Sequence, residues 1–152
     1  MLSSRGRYAT RAMLDIAMQE QDKPILIQDI SKRQKIPLKY LQQILVDLKQ
    51  AGIVTSRKGP GGGYVLARPA EMITLLEVLE AVEGPITELS CTLSGGERNC
   101  GCPIPDSCAI RDAFCELSGT MSSVLTEVHF GALRDGQRLA DSVRSKSVDF
   151  VI

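Results

Sequence analysis

A chain of 152 residues is long enough for one compact core with an appendage and too short for two enzyme-sized domains. No uninterrupted apolar run approaches membrane-spanning length, and the stretch after Met1 lacks the character of a secretory leader, so a cytoplasmic protein without a membrane partner is expected. The formal net charge of zero conceals an asymmetry: residues 1–68 hold 12 Lys or Arg against 5 Asp or Glu (12 − 5 = +7), and residues 69–152 hold 6 against 13 (6 − 13 = −7). A basic amino-terminal module suits a polyanion, which would repel the acidic remainder, although solvated surface charge alone also produces such a split.

Ser3 or Ser4 caps a first predicted helix over 4–21, with Tyr8, Ala12 and Ile16 at helical spacing before Pro24. A short second helix follows Ile27 and ends before Ile36-Pro37. The third runs from Leu38 to about Gln50 and puts Leu41, Ile44, Leu45 and Leu48 on one face, with Gly52 as its C-terminal stop. Two helices joined by a tight turn in a basic module form a helix-turn-helix pattern over about 27–50.

Two β-prone runs come next, Ile53 to Ser56 and Tyr64 to Leu66, separated by Arg57-Lys58-Gly59-Pro60-Gly61-Gly62-Gly63. They predict a hairpin over about 53–67 with a cationic, glycine-rich tip able to approach a phosphate backbone or enter a groove, a wing. An ordinary glycine-rich hairpin has the same pattern. A nucleotide loop does not, because its GxxxxGK[ST] motif must lead from a strand into a helix, whereas these glycines join two strands and Lys58 precedes them.

The acidic half opens at 69–90 with a linking helix capped by Thr74 and ended by Gly84-Pro85. Beyond a cysteine-bearing loop at 91–108, Ile110, Phe114, Leu117, Met121, Val124 and Val128 repeat at alternating spacings of four and three. That heptad rhythm predicts a dimerisation helix over 109–135, paired with a second copy or else folded back on its own domain. Residues 136–152 show no clean period and are expected to fray. The fold class that results is mainly α with a small β wing: a winged helix-turn-helix domain, 1–68, plus a long dimerisation helix.

Cys91, Cys100, Cys102 and Cys108 fall within 18 residues of loop that has almost no apolar content to hold its shape. Thiolate ligation supplies what burial does not. The intervening gaps of eight, one and five residues fit structural zinc poorly and an iron–sulfur cluster better. Cys115 lies within the predicted helix and reads as a core or interface residue; His129, the sole histidine, reads as structural.

Four segments together resemble the IscR-like family of winged-helix regulators, which includes iron–sulfur, nitric-oxide, iron and cysteine-metabolism sensors. They are SSRGRYATRAMLDIA at 3–17, PLKYLQQIL at 37–45, RKGPGGGYVLAR at 57–68 and CPIPDSC at 102–108, and the resemblance spans roughly residues 1–135. It implies a homodimer on a partly palindromic double-stranded DNA operator, with recognition helices in successive major grooves and wings in the flanking minor grooves. Lys39, Tyr40 and Gln42 then belong to the groove-facing start of the recognition helix, Lys58 to a basic wing position, and Gly59 and Gly61 to the wing tip. Gln42 stands where the homologue that reads a second operator class has a glutamate, and an amide suits adenine where a carboxylate suits cytosine.

The resemblance also implies Cys91, Cys102 and Cys108 as ligands of a 4Fe-4S or 2Fe-2S cluster, with Cys100 as a further candidate. Arg111 replaces the histidine that cluster-biogenesis regulators carry three residues after the last cysteine, and a guanidinium cannot ligate iron. The expected function is a DNA-binding transcription regulator, read as a repressor, under the control of a cluster that answers iron supply, cluster status, redox stress or nitric oxide. A cluster-free regulator sensing thiols or a partner protein is the alternative. A cysteine redox enzyme has no C-x-x-C motif or partner base here, no small-molecule substrate is expected, and a cluster carrier has no use for the basic module.

Overall fold

The structure is a computed structural model and describes residues 3–19, 23–85 and 108–148. Six helices and one hairpin follow in the order α1 (Ser4–Met18), α2 (Ile27–Gln34), α3 (Leu38–Gln50), β1 (Val54–Arg57), β2 (Gly63–Leu66), α4 (Leu75–Glu83), α5 (Ala109–Glu127) and α6 (Phe130–Val148). A single 3₁₀ turn, Ala70–Met72, precedes α4. This is the mainly helical fold with a small β wing that the hydrophobic spacing predicts.

Ser3 caps α1 by accepting from the amides of Arg5 and Gly6. That helix lays Ala9, Ala12, Met13 and Ile16 into the core, where they meet Ile30 of α2 and Leu41, Ile44, Leu45 and Leu48 of α3. Small alanines on α1 let the other helices come close. The turn between α2 and α3 is a Schellman closure: Lys35 takes a left-handed φ of 51°, while the amides of Lys35 and Ile36 return to the carbonyls of Lys32 and Ser31. Buried Ile36 anchors the turn, and Pro37 starts α3 with a φ suited to that position. The same closure ends α3, with Gly52 at φ 69° and the amides of Gly52 and Ile53 on the carbonyls of Lys49 and Leu48.

The hairpin is antiparallel, with Val54 opposite Leu66 and Arg57 opposite Gly63. A third segment joins it, because Ile25 and Tyr64 exchange both backbone hydrogen bonds at 3.0 and 2.9 Å. Gly63 permits that approach: a Cβ there would lie 2.3 Å from the Ile25 carbonyl oxygen.

Thr74 and Glu77 form a capping box at the start of α4, which packs against α1 and α3. The acidic half therefore begins as part of the same core.

Three expectations from the sequence need correction. The helix predicted over 109–135 is two helices, broken at Val128 and His129, and the segment expected to fray from 136 is helical to Val148. The break is held by the winged module: the Leu75 amide donates to the Val128 carbonyl at 2.8 Å, the Phe130 amide donates to Ile73 at 2.9 Å, and Thr74 bridges His129. Phe130 is fully buried among the core residues, so the heptad rhythm is interrupted where a large side chain turns inward. The first helix, expected to reach 21, ends at Met18.

Candidate nucleic-acid interface and cysteine site

Helix α3 presents one face to the core and the other to solvent. Leu41, Ile44, Leu45 and Leu48 are buried, while Lys39, Tyr40, Gln42 and Gln43 are exposed on its first two turns. The side chains of Lys39, Gln42 and Lys58 make no hydrogen bond or ion pair among the described residues.

Tyr40 is braced. Its ring meets Tyr8 of α1 edge-on, with centroids 5.7 Å apart and an interplanar angle of 81°, and the Arg11 guanidinium lies 6.0 Å from the Tyr8 centroid. The exposed phenol is therefore carried on a ring whose direction α1 fixes.

Three polar struts from α1 set the helix-turn-helix. Arg5 pairs with Asp47 near the end of α3, and Arg11 donates to the Gln34 carbonyl at the turn. Asp15, with 5% of its surface exposed, receives Arg33 Nε at 3.0 Å and Nη2 at 2.6 Å in a two-pronged bond, and Gln34 Nε2 at 3.0 Å. The bond to Asp15 raises the Arg33 pKa against the desolvation that lowers it, so the guanidinium stays charged. Neither Asp15 nor Asp47 stands out in the sequence, because a long-range partner leaves no periodic trace in either segment.

The wing tip turns at Gly59-Pro60-Gly61-Gly62, where the Gly62 amide returns to the Gly59 carbonyl at 2.9 Å. Proline second and Gly61 third at φ 76° make a type II turn, whose third position favours glycine. Gly59 also has a positive φ, 99°. Lys58 and both glycines are exposed at this tip, and Lys49 Nζ ties the end of α3 to Ser56 of β1 at 2.7 Å. The hairpin is thus attached to α3 at its root and open at its tip.

Of the predicted thiolate ligands, Cys91, Cys100 and Cys102 lie outside the described residues. Cys108 is half-buried at the N-terminal boundary of α5 and is a free thiol. Arg111, one turn on, directs its guanidinium to Asp112. No set of three metal-ligating side chains occurs among the described residues, so the structure contributes one sulfur and its place at the head of α5. A thiol there agrees in chemistry with the soft-donor set that iron–sulfur clusters take.

The α5 helix buries none of its side chains. Ile110, Phe114, Leu117, Met121 and Val124 stay between 37% and 69% exposed along one stripe, and Cys115 is exposed beside them. No helix among the described residues is long and apolar enough to cross a membrane.

Comparison with known proteins agrees with this architecture. Residues 2–135 match the family described as Rrf2, Iron-dependent Transcriptional regulator. The chain is 37% identical over 140 residues to the HTH-type transcriptional regulator IscR of Klebsiella pneumoniae (strain 342) and of Escherichia coli (strain K12 / DH10B), covering 92% of this chain and 83% of each relative. Among solved structures it resembles T. potens IscR, with a TM-score of 0.70, 26% identity and coverage of 90% of this chain and 88% of that one. The fold is shared with CymR, the global cysteine regulator of B. subtilis, at a TM-score of 0.71, 24% identity and coverage of 89% and 96%. The helix-turn-helix, the wing and this kinship make the chain a regulator and not an enzyme: it belongs to the Rrf2 family of transcriptional regulators and is IscR-like within it.

Proposed function

We propose that this regulator is a cytoplasmic homodimeric repressor that reads a partly palindromic DNA operator with α3 and the wing, under the control of an iron–sulfur cluster. The observation that carries the reading is the exposed set Lys39, Tyr40 and Gln42 on the first turns of α3, in a module of charge +7. In the major groove Gln42 offers an amide that pairs with adenine through both a donor and an acceptor, while Lys39 and Lys58 neutralise phosphates. Gly59 and Gly61 leave the wing tip thin enough to follow a minor groove.

Dimerisation is supported by the α5 stripe, since five large apolar side chains in heptad register have no cover among the described residues. Cys91, Cys102 and Cys108 would hold the cluster, with Cys100 as a further candidate. When bound, the cluster supplies a centre that iron supply, oxidants or nitric oxide can alter. Cys108, at the head of α5, would connect such a cluster to that helix, and the Val128–Phe130 joint is where α5 meets the core of the winged module.

The test is anaerobic purification with iron and sulfide assays, followed by selection of bound sequences from a random duplex library. Enrichment of one palindromic site, binding that weakens steeply with salt, and loss of visible absorption in Cys91→Ala, Cys102→Ala and Cys108→Ala support the reading. Full spectra in all three variants refute the ligand set. Iron-free protein with undiminished operator binding favours a cluster-free sensor, and the absence of any duplex binding removes the proposal.

A further inference from the structure

A cleft of about 260 Å³ opens on the module between the end of α1, the root of the wing and α6. None of its lining residues belongs to α2, α3 or the wing tip, so it stands apart from the face assigned to DNA. One wall is apolar, made chiefly by Ile16, Ile25 and Val65, all buried core residues. Lys23, Arg68 and Arg134 supply the polar boundary, and no Asp or Glu lines the cleft among the described residues.

Both guanidiniums are held in place by carboxylates outside the cleft. Arg68 Nη2 donates to Glu77 at 2.6 Å; Arg134 gives Nη2 to Glu71 at 2.9 Å and Nε to Asp135 at 2.8 Å. A guanidinium has five N–H donors, so the two bonds orient Arg134, the single bond tethers Arg68, and each keeps further donors. Hydrogen bonds to Asp135 and then Glu71 raise the Arg134 pKa, which keeps it a permanent cation.

We propose that this cleft binds a small organic anion, a carboxylate with a short apolar body. At about 260 Å³ it falls just below the usual size of small-molecule sites, roughly 300–1,000 Å³, and so admits only a body about the size of an amino acid. The carboxylate meets the Arg68 and Arg134 side of the cleft, and the apolar body lies against Ile16, Ile25 and Val65. The lining comes from the wing root on one side and α6 on the other, so occupancy bridges the hairpin to the carboxy-terminal helix.

The experiment uses the full-length protein with labelled methyl groups, titrated with sodium butyrate, with butyramide as the neutral isostere and with inorganic phosphate as the anion without an apolar body. Butyrate is expected to give saturable shifts of the Ile16, Ile25 and Val65 methyls, with butyramide and phosphate each at least tenfold weaker. Ala67→Phe, which places a large ring at an exposed lining position, and Arg134→Gln should each weaken butyrate at least fivefold while the core spectrum stays folded. Absence of shifts up to about 50 mM butyrate, where a millimolar site is saturated, overturns the site. So do shifts unchanged in both variants. Phosphate binding as tightly as butyrate, or butyramide doing so, overturns the assigned ligand class. None of these outcomes depends on DNA or on a cluster, so failure here is distinct from failure of the operator reading.

Discussion

Phe130→Ala tests whether α6 is part of the folded core. The side chain has 0% of its surface exposed and packs within the same cluster as Ile73 and Val78. Truncating a buried phenylalanine removes its transfer energy and leaves a cavity, a cost of about 3–5 kcal/mol. For a chain of this size that corresponds to a fall of roughly 6–20 °C in Tm. Urea unfolding followed by circular dichroism, at matched protomer concentration, measures it. Leu139→Ala on the same helix is the control: Leu139 is 68% exposed, so its loss should change stability by no more than about 0.5 kcal/mol. A cost below about 1 kcal/mol for Phe130→Ala would show that the joint is not packed as described and that the carboxy-terminal segment is the appendage its composition suggests.

Further outcomes are expected at the other sites. Lys58→Ala should weaken binding to most duplexes and reduce the slope of log K against log salt by about 0.9 for each phosphate that the lysine neutralises, whereas Gln42→Ala should relax discrimination at one base position by about 1–3 kcal/mol; titrations at several salt concentrations on matched and single-substituted sites separate the two. Leu117→Asp, which puts a charge into the exposed α5 stripe, should give a monomer by light scattering with helicity retained, and an unchanged dimer would rule this stripe out as the interface. Gly63→Ala should destabilise by about 1–3 kcal/mol, because its Cβ meets the Ile25 carbonyl, and a neutral result in thermal melts would contradict that close approach. Burial pushes the Glu77 carboxyl up, but the Thr74 amide, Arg68 and the Thr74 hydroxyl together hold it below its ordinary value of 4.5. Its stabilisation is therefore present above that pH and lost as pH falls through the lowered folded value, so the deficit of Glu77→Gln should be largest at neutral pH and close in acid; a deficit constant with pH contradicts the ionic role.

The sequence is most legible where structure is local. Helix α3 runs from Leu38 to Gln50 as its leucine and isoleucine spacing predicts, and Ser3, Thr74 and Gly52 mark the helix ends that their residue types imply, because caps and periodicity act within a few residues. Non-local ties leave no such trace. Ile25 pairs with Tyr64 across 39 positions (64 − 25), and Asp15 reaches Arg33, so neither segment alone reveals the contact. The carboxy-terminal helix escapes the pattern for a related reason: its packing is carried by one buried anchor, Phe130, with Leu133 beside it, in a core assembled from distant segments. The operator face is legible as residue types, whereas the bracing of Tyr40 by Tyr8 needs coordinates. For the thiolate set, only Cys108 falls among the described residues.

The joint at Val128–Phe130 also sets a rotational phase. At about 1.5 Å per residue, the 19 residues of α5 span roughly 28 Å from the joint to Cys108, so a 10° swing at the joint moves the cysteine end by about 5 Å. Direction around the helix axis is fixed just as firmly. Adding one residue near exposed Gly119 turns Cys108 by about 100° relative to the winged module, whereas adding seven restores its azimuth to within about 20°. The interval between sulfur and joint thus works as a keyed shaft: its length admits change only in steps close to whole turns, such as about 7 or 11 residues, if both ends are to keep their bearings.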